Sequence, residues 1–307
     1  MPDRPLKLGS RRSPLAMAQA EEARDRLQAA HPGIAVEIVP VTASGDRVLG
    51  SLADAGGKAL WTKELDAWLM AGTIDFAVHS AKDVETIRPA GIAIAAVLPR
   101  EDVRDVLVGV ASLAELRPGA LIGTSAPRRA ALVLHARPDC RVITFRGNIQ
   151  TRLAKLAAGE ADATLLALAG LNRTGQGSVG TPLDPEIWLP APGQGAIAIE
   201  CRSDDGETFA ILSAIDDRTS NEALHAERRL LAALGGNCHS PVAVLSGREG
   251  NTITMRAALF SPDGRDRVDG ARSFAAEDAA GPAALAADLL ARAVPSIREH
   301  FVGSQGD

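Results

Sequence analysis

His79, Ser80, Lys82 and Asp83 follow directly on residues 74–78, a short, largely apolar run with the length of a buried strand. Polar side chains at the C-terminal end of such a strand are where open α/β sheets hold ligands. Asp83, beside the cation Lys82, has the chemistry of a proton donor or acceptor whose charge state a neighbour tunes. The same break recurs along the chain. Arg11 follows a strand at 6–9, and Arg128 and Arg129 open a helix after a strand at 121–123. Arg146 ends a strand at 141–145 ahead of a helix carrying Arg152 and Lys155, and Arg173 lies in a polar turn, 170–173, after a strand at 163–168. One arginine at a strand end is ordinarily a solvated neighbour of a cap. Several, from two α/β units, point to one anion-binding cleft. Cys238 lies among glycines in a loop, with His239 next to it. A reactive thiol and a buried, inert one both remain open for it.

These groups need elements to carry them. Ser13 before Pro14 marks a helix start, with the helix over about 15–30, and a strand follows at 34–41. Residues 42–58 read as a mobile loop ending in Gly56, Gly57 and Lys58, and 61–70 as an amphipathic helix. This alternation predicts an α/β domain with a mainly parallel sheet. A second unit begins near residue 100, with strands at 106–110 and 121–123 and a helix ending near Arg137. The turn 190–195 lacks the Lys-Ser/Thr pair of a phosphate-binding loop and reads as a crossover between domains before the apolar run 196–201. After Asp217 come a helix capped by Ser220 or Asn221, strands at 242–246, 252–260 and 267–273, and a final helix at 282–300, predicting a small α+β domain.

At 307 residues the chain is long enough for two or three domains. Its net charge of −5 and 3% aromatic content speak against nucleic-acid binding by backbone tracking or base stacking. No run approaches the length that spans a bilayer, and residues 1–9 show no apolar leader, so a cytoplasmic protein without a membrane partner is expected. Three cysteines, Cys140, Cys201 and Cys238, without a CxxC pair argue against disulfides and structural zinc, and no metal is expected. Only Lys7, Lys58, Lys63, Lys82 and Lys155 among the 33 basic residues are lysines, so arginine, the bidentate partner of carboxylates, supplies most of the positive charge.

In order along nearly the whole chain, the motifs 11–16, 56–58, 78–83, 100–102, 123–125, 128–129, 146–148, 151–153, 169–171, 192–196 and 235–238 resemble the porphobilinogen deaminase (hydroxymethylbilane synthase) family. The resemblance implies two periplasmic-binding-protein-like α/β domains around a cleft, 1–98 plus 195–216 and 99–194. It adds a small α+β C-terminal domain, 217–307, carrying Cys238. It implies head-to-tail condensation of four porphobilinogen molecules into hydroxymethylbilane with release of ammonia, by a monomer of the tetrapyrrole pathway. The steps are loss of an amine to give an azafulvene, attack by a pyrrole carbon, and loss of a proton. Asp83 takes the catalytic role, and Cys238 holds a dipyrromethane cofactor through a thioether. Ser80, Lys82, Asp83, Thr124, Ser125, Arg128, Arg129, Arg146 and Gly147 are implied to meet that cofactor. Arg11, Ser13, Lys58, Trp61, Arg146, Arg152, Arg173 and Gln194 are implied to meet substrate. A growing chain of acetate- and propionate-bearing pyrroles is a polyanion, which gives the arginines a purpose.

The chain departs from the family pattern at Ala126-Pro127, where Ser-Leu is usual, at Trp61 in place of phenylalanine, and at Asn172 in place of lysine. Ala126 lacks a hydroxyl and Pro127 lacks an N–H near the anion-binding helix start. A two-lobed solute-binding protein would share the lobes and the cleft, but not the third domain or the Cys238 loop.

Overall fold

The computed structural model describes residues 4–41, 62–237 and 239–301. The chain divides into two compact units, one built from 1–101 and 195–221, the other from 102–194 and 222–307.

The first unit holds a sheet of β1 (Leu6–Arg11), β2 (Val36–Val41), β3 (Phe76–Ser80), β4 (Ile92–Val97) and β10 (Ile197–Arg202), in the order β2-β1-β3-β10-β4. The first three strands are parallel, and β10 returns antiparallel between β3 and β4. The expectation of a mainly parallel sheet therefore holds for the half that carries the motifs. Helix α1 (Pro14–Ala30) starts at Ser13, whose side chain accepts from the Ala16 N–H, with Pro14 in the first turn. It packs Ala20, Ala23 and Leu27 on one sheet face, against Phe76, Val78, Ile197 and Ile199. Helix α2 (Lys63–Met70) covers the opposite face with Leu65 and Leu69 against Val41, Ile74 and Ala77. Alternate residues of β3 thus feed two cores, as the pleat requires. Each fully buried large side chain contributes about 1.5–3 kcal/mol.

The second unit repeats the winding. Its sheet runs β7 (Arg141–Ile143), β6 (Leu121–Gly123), β8 (Ala163–Ala167), β5 (Asp105–Val108), β9 (Thr181–Pro182), again with three parallel strands and an antiparallel return strand, β5, beside them. Helices α3 (Pro127–Ala136), α4 (Ile149–Ala157) and α5 (Leu168–Arg173) follow β6, β7 and β8. A third, antiparallel sheet is formed by β11 (Val242–Glu249), β12 (Thr252–Phe260) and β13 (Arg267–Ala275). On one face Ile253, Met255 and Leu259 of β12 pack with Leu285 and Leu289, while Ala258 and Phe260 pack on the other with Ile122, Leu132 and Leu165.

Several local expectations are corrected. Residues 168–173 form the short helix α5 rather than a polar turn, so Arg173 lies in a last helical turn, where a cation suits the dipole. Helix α6 (Gly206–Ser213) and strand β4 carried no expectation at all. Helix α7 (Arg218–Ala233) starts earlier than a Ser220 or Asn221 cap allows, because the Asp217 side chain accepts from the Ser220 N–H at 2.8 Å. The final helix is two, α8 (Ala280–Arg292) and α9 (Pro295–Arg298), broken at Pro295. None of the described helices is long and apolar enough to cross a membrane.

Candidate active site

In the first unit the chain leaves β1 for α1 and β2 on one side, while β3 lies on the other, so the C-terminal ends of β1 and β3 form a topological switch point. Arg11, Ser13, His79, Ser80 and Asp83 line a recess of about 50 Å³ there, together with Gln19. Arg11 comes from the end of β1, Ser13 from the α1 cap, Ser80 from the end of β3, and Asp83 from the single 3₁₀ turn, Ala81–Asp83, that follows. Sequence reasoning named five of these residues but missed Gln19, whose amide donates to Ser80 Oγ at 2.8 Å. Lys82 is half-buried beside Asp83 and is not among the lining residues.

Under the recess lies a buried charge relay that composition concealed. Arg88 donates to both oxygens of Glu200, at 2.8 and 2.9 Å, and pairs with Asp66 at 2.5 Å. His79 Nε2 is 3.4 Å from Glu200 but has no hydrogen-bond partner. Burial, and then the Arg88 charge, push His79 down to about 4, so it is a neutral imidazole at pH 7. Glu200 was visible as a lone carboxylate in the apolar run 196–201.

The second unit presents the equivalent switch point between β6 and β8. Thr124 is buried and its hydroxyl accepts from the Ala126 N–H at 3.2 Å, fixing the turn into a helix whose N-cap, Ala126, offers no side-chain cap; Ser125 is half-buried. Pro127 occupies the first helical position, where an N–H has no intrahelical partner. Arg128 and Arg129 are 4% and 5% exposed. Their side chains turn inward to Asp105 on β5, each with a 2.7 Å bond, and to the carbonyls of Leu189 and Leu165. Gln194 is fully buried and donates to Val103 O and Asp105.

Arg146 follows β7 and is half-buried, and its Nε–H has no acceptor. Gly147 stands at φ 108°, and a Cβ there would lie 2.6 Å from Thr151 Cβ, so this bend requires glycine. Asn148 then caps α4 by accepting from the Thr151 N–H, and Arg152 donates to Gly147 O at 3.0 Å. His239 lies below its ordinary pKa, through desolvation and then the Arg146 charge, which places Arg146 within electrostatic reach of the neighbour of Cys238. Lys58, Trp61 and Cys238, with the loop 42–58, lie outside the described residues. Arg128 Nε and Arg146 Nε are buried guanidinium donors without acceptors, and a group bearing carboxylates is what they would satisfy. The guanidinium donors present therefore fit an anionic cofactor.

Residues 6–210 match the family model described as porphobilinogen deaminase, dipyromethane cofactor binding domain, and 222–291 match the porphobilinogen deaminase C-terminal domain. The chain belongs to the porphobilinogen deaminase family. Curated relatives named porphobilinogen deaminase include those of Sphingopyxis alaskensis, 54% identical over 98% of this chain and 98% of that one, and Nitrobacter winogradskyi, 48% identical over 97% and 96%. That of Paracoccus denitrificans is 46% identical over 95% and 96%. Among solved structures, the methionine-binding protein MetQ aligns at a TM-score of 0.44 with 14% identity, over 72% of this chain and 94% of that one. The Bordetella pertussis BvgS VFT2 domain aligns at 0.40 with 21% identity, over 73% and 91%. The family's enzymes are transferases, hydroxymethylbilane synthases of tetrapyrrole biosynthesis, and its larger matched domain is the one that binds the dipyrromethane.

Proposed function

We infer that this chain joins four porphobilinogen molecules head to tail, releasing ammonia, to give hydroxymethylbilane. The observation that carries the reading is the meeting of Asp83, Arg11, Ser13 and Ser80 around one recess at the β1–β3 switch point. A carboxylate and a guanidinium lining one recess suit a substrate with a pyrrole nitrogen and acidic side chains. Asp83 stabilises positive charge developing on the pyrrole ring and moves its protons. Arg11, Ser13, Lys58, Trp61, Arg152 and Arg173 bind substrate carboxylates and ring faces, and Arg146 serves substrate and cofactor; Gln194, fully buried and donating to Val103 O and Asp105, is corrected from a substrate ligand to an interior hydrogen bond.

Cys238 holds the dipyrromethane as a thioether, and Ser80, Lys82, Thr124, Ser125, Arg128, Arg129 and Gly147 complete its setting. When bound, that group supplies the pyrrole to which the first substrate is joined. The buried, acceptor-free Nε–H groups of Arg128 and Arg146 support this assignment. The same reading makes the chain a cytoplasmic monomer with no nucleic-acid or membrane partner, with domains at 1–98 plus 195–216, 99–194 and 217–307. Its net charge of −5 supports the exclusion of nucleic acid.

Intact mass under denaturing conditions tests it. The wild-type chain is expected to exceed its sequence mass by two linked pyrrole units, and Cys238→Ser to show none. A wild-type chain that gains no pyrrole mass and consumes no porphobilinogen after incubation with it would overturn the reading.

A further inference from the structure

Asp105 is fully buried at the start of the return strand β5, opposite Ala167 at the end of β8. Four side chains donate to its carboxylate. Arg128 Nη2 and Trp188 Nε1 reach Oδ2 at 2.7 and 2.9 Å; Arg129 Nη2 and Gln194 Nε2 reach Oδ1 at 2.7 and 2.8 Å. Burial alone would push this carboxyl up, but the two guanidiniums hold it well below the usual carboxylate range. The cluster is therefore ionised, with two buried cations sharing one anion, and a surplus of one positive charge remains. Arg128 Nε–H, also buried, has no acceptor. Uncompensated charge in a dry interior is costly, so the arrangement is complete only when one further anion arrives.

We propose that Asp105 is the positioning residue of this pair: it orients both guanidiniums and neutralises only one, so that the pair keeps a net positive charge for a single carboxylate of the dipyrromethane. This rests on the function proposed above. Asp105 does not touch the cofactor; it acts through Arg128 and Arg129. Trp188 and Gln194 lock the carboxylate's rotation, so the aim of the pair is set by hydrogen bonds as well as by charge.

The test compares holoenzyme preparations of wild type, Asp105→Asn and Trp188→Phe. In each, the fraction of natively eluting chains carrying the mass of two linked pyrroles is counted, with kcat and KM for porphobilinogen normalised to that fraction. Asp105→Asn is expected to lower the loaded fraction at least fivefold, with KM of the loaded chains within threefold of wild type. Trp188→Phe keeps every charge and removes one donor to Oδ2; it is expected to lower the loaded fraction about twofold. It decides the matter alone if Asp105→Asn yields no native chain. Folded variants loaded as fully as wild type would overturn the role of Asp105 while leaving the proposed function standing. A wild-type chain neither loaded nor active would overturn both.

Discussion

His79 Nε2 lies 3.4 Å from the Glu200 carboxylate, yet the imidazole is neutral because it is fully desolvated and faces the Arg88 charge that Glu200 also binds. His79 falls to about 4 when folded, below its ordinary 6.5, so between those values the unfolded chain takes a proton that the folded chain refuses. Stability is thus complete above pH 6.5 and falls as pH drops toward 4, by about 3 kcal/mol for this group. Urea unfolding at pH 7.5, 5.5 and 4.5 should show this loss in wild type and a flatter profile in His79→Asn. Parallel profiles would remove His79 as the cause.

Arg88 is the cation on which two carboxylates depend, and Glu200 has no access to water. Arg88→Met should therefore destabilise the fold by about 3–5 kcal/mol, the cost of leaving a buried charge without its partner. Chemical denaturation reads this directly.

Asp83 is half-buried on a short turn and supports no core, so its removal separates chemistry from folding. Asp83→Ala should lower kcat at least about a hundredfold, the lower end of acid–base contributions. Its melting transition should stay close to that of wild type. Turnover equal to wild type would remove the proton-handling role.

Gly147 holds the bend that presents Arg146 and lets Asn148 cap α4. Gly147→Ala places a side chain at φ 108° against Thr151, a strain of about 1–3 kcal/mol. The expected result is a lower melting temperature together with a reduced cofactor-bearing fraction, because Arg146 moves with the bend. Mass and melting measured on one preparation check both.

The parts of the fold legible in the sequence were those with local signals. Ser13-Pro14 announced α1, and the apolar run before His79 announced β3 with its reactive end. The antiparallel return of β10 between β3 and β4 has no local signature, since its partners are more than a hundred residues away. The same holds for the inward turn of Arg128 and Arg129. At a helix start an arginine reads as facing solvent or ligand, and Asp105, with the Leu189 and Leu165 carbonyls, draws these two inside. Both acids that organise the interior, Asp105 and Glu200, were marked by their place at the edge of, or within, an apolar run. A charge there needs partners, but the sequence does not name them.

The position of β10 also governs the order in which the chain can assemble during synthesis. The sheet of the second unit draws all its strands from one continuous stretch, 105–182. The sheet of the first unit waits for residues 197–202, the last of its five strands to be synthesised yet one occupying an inner place. Until then β3 and β4 each lack a hydrogen-bonding neighbour, and Arg88 lacks Glu200. The N-terminal third of a nascent chain is thus an open edge awaiting its own later segment. A stalled or truncated product ending before residue 197 would expose that edge to other chains.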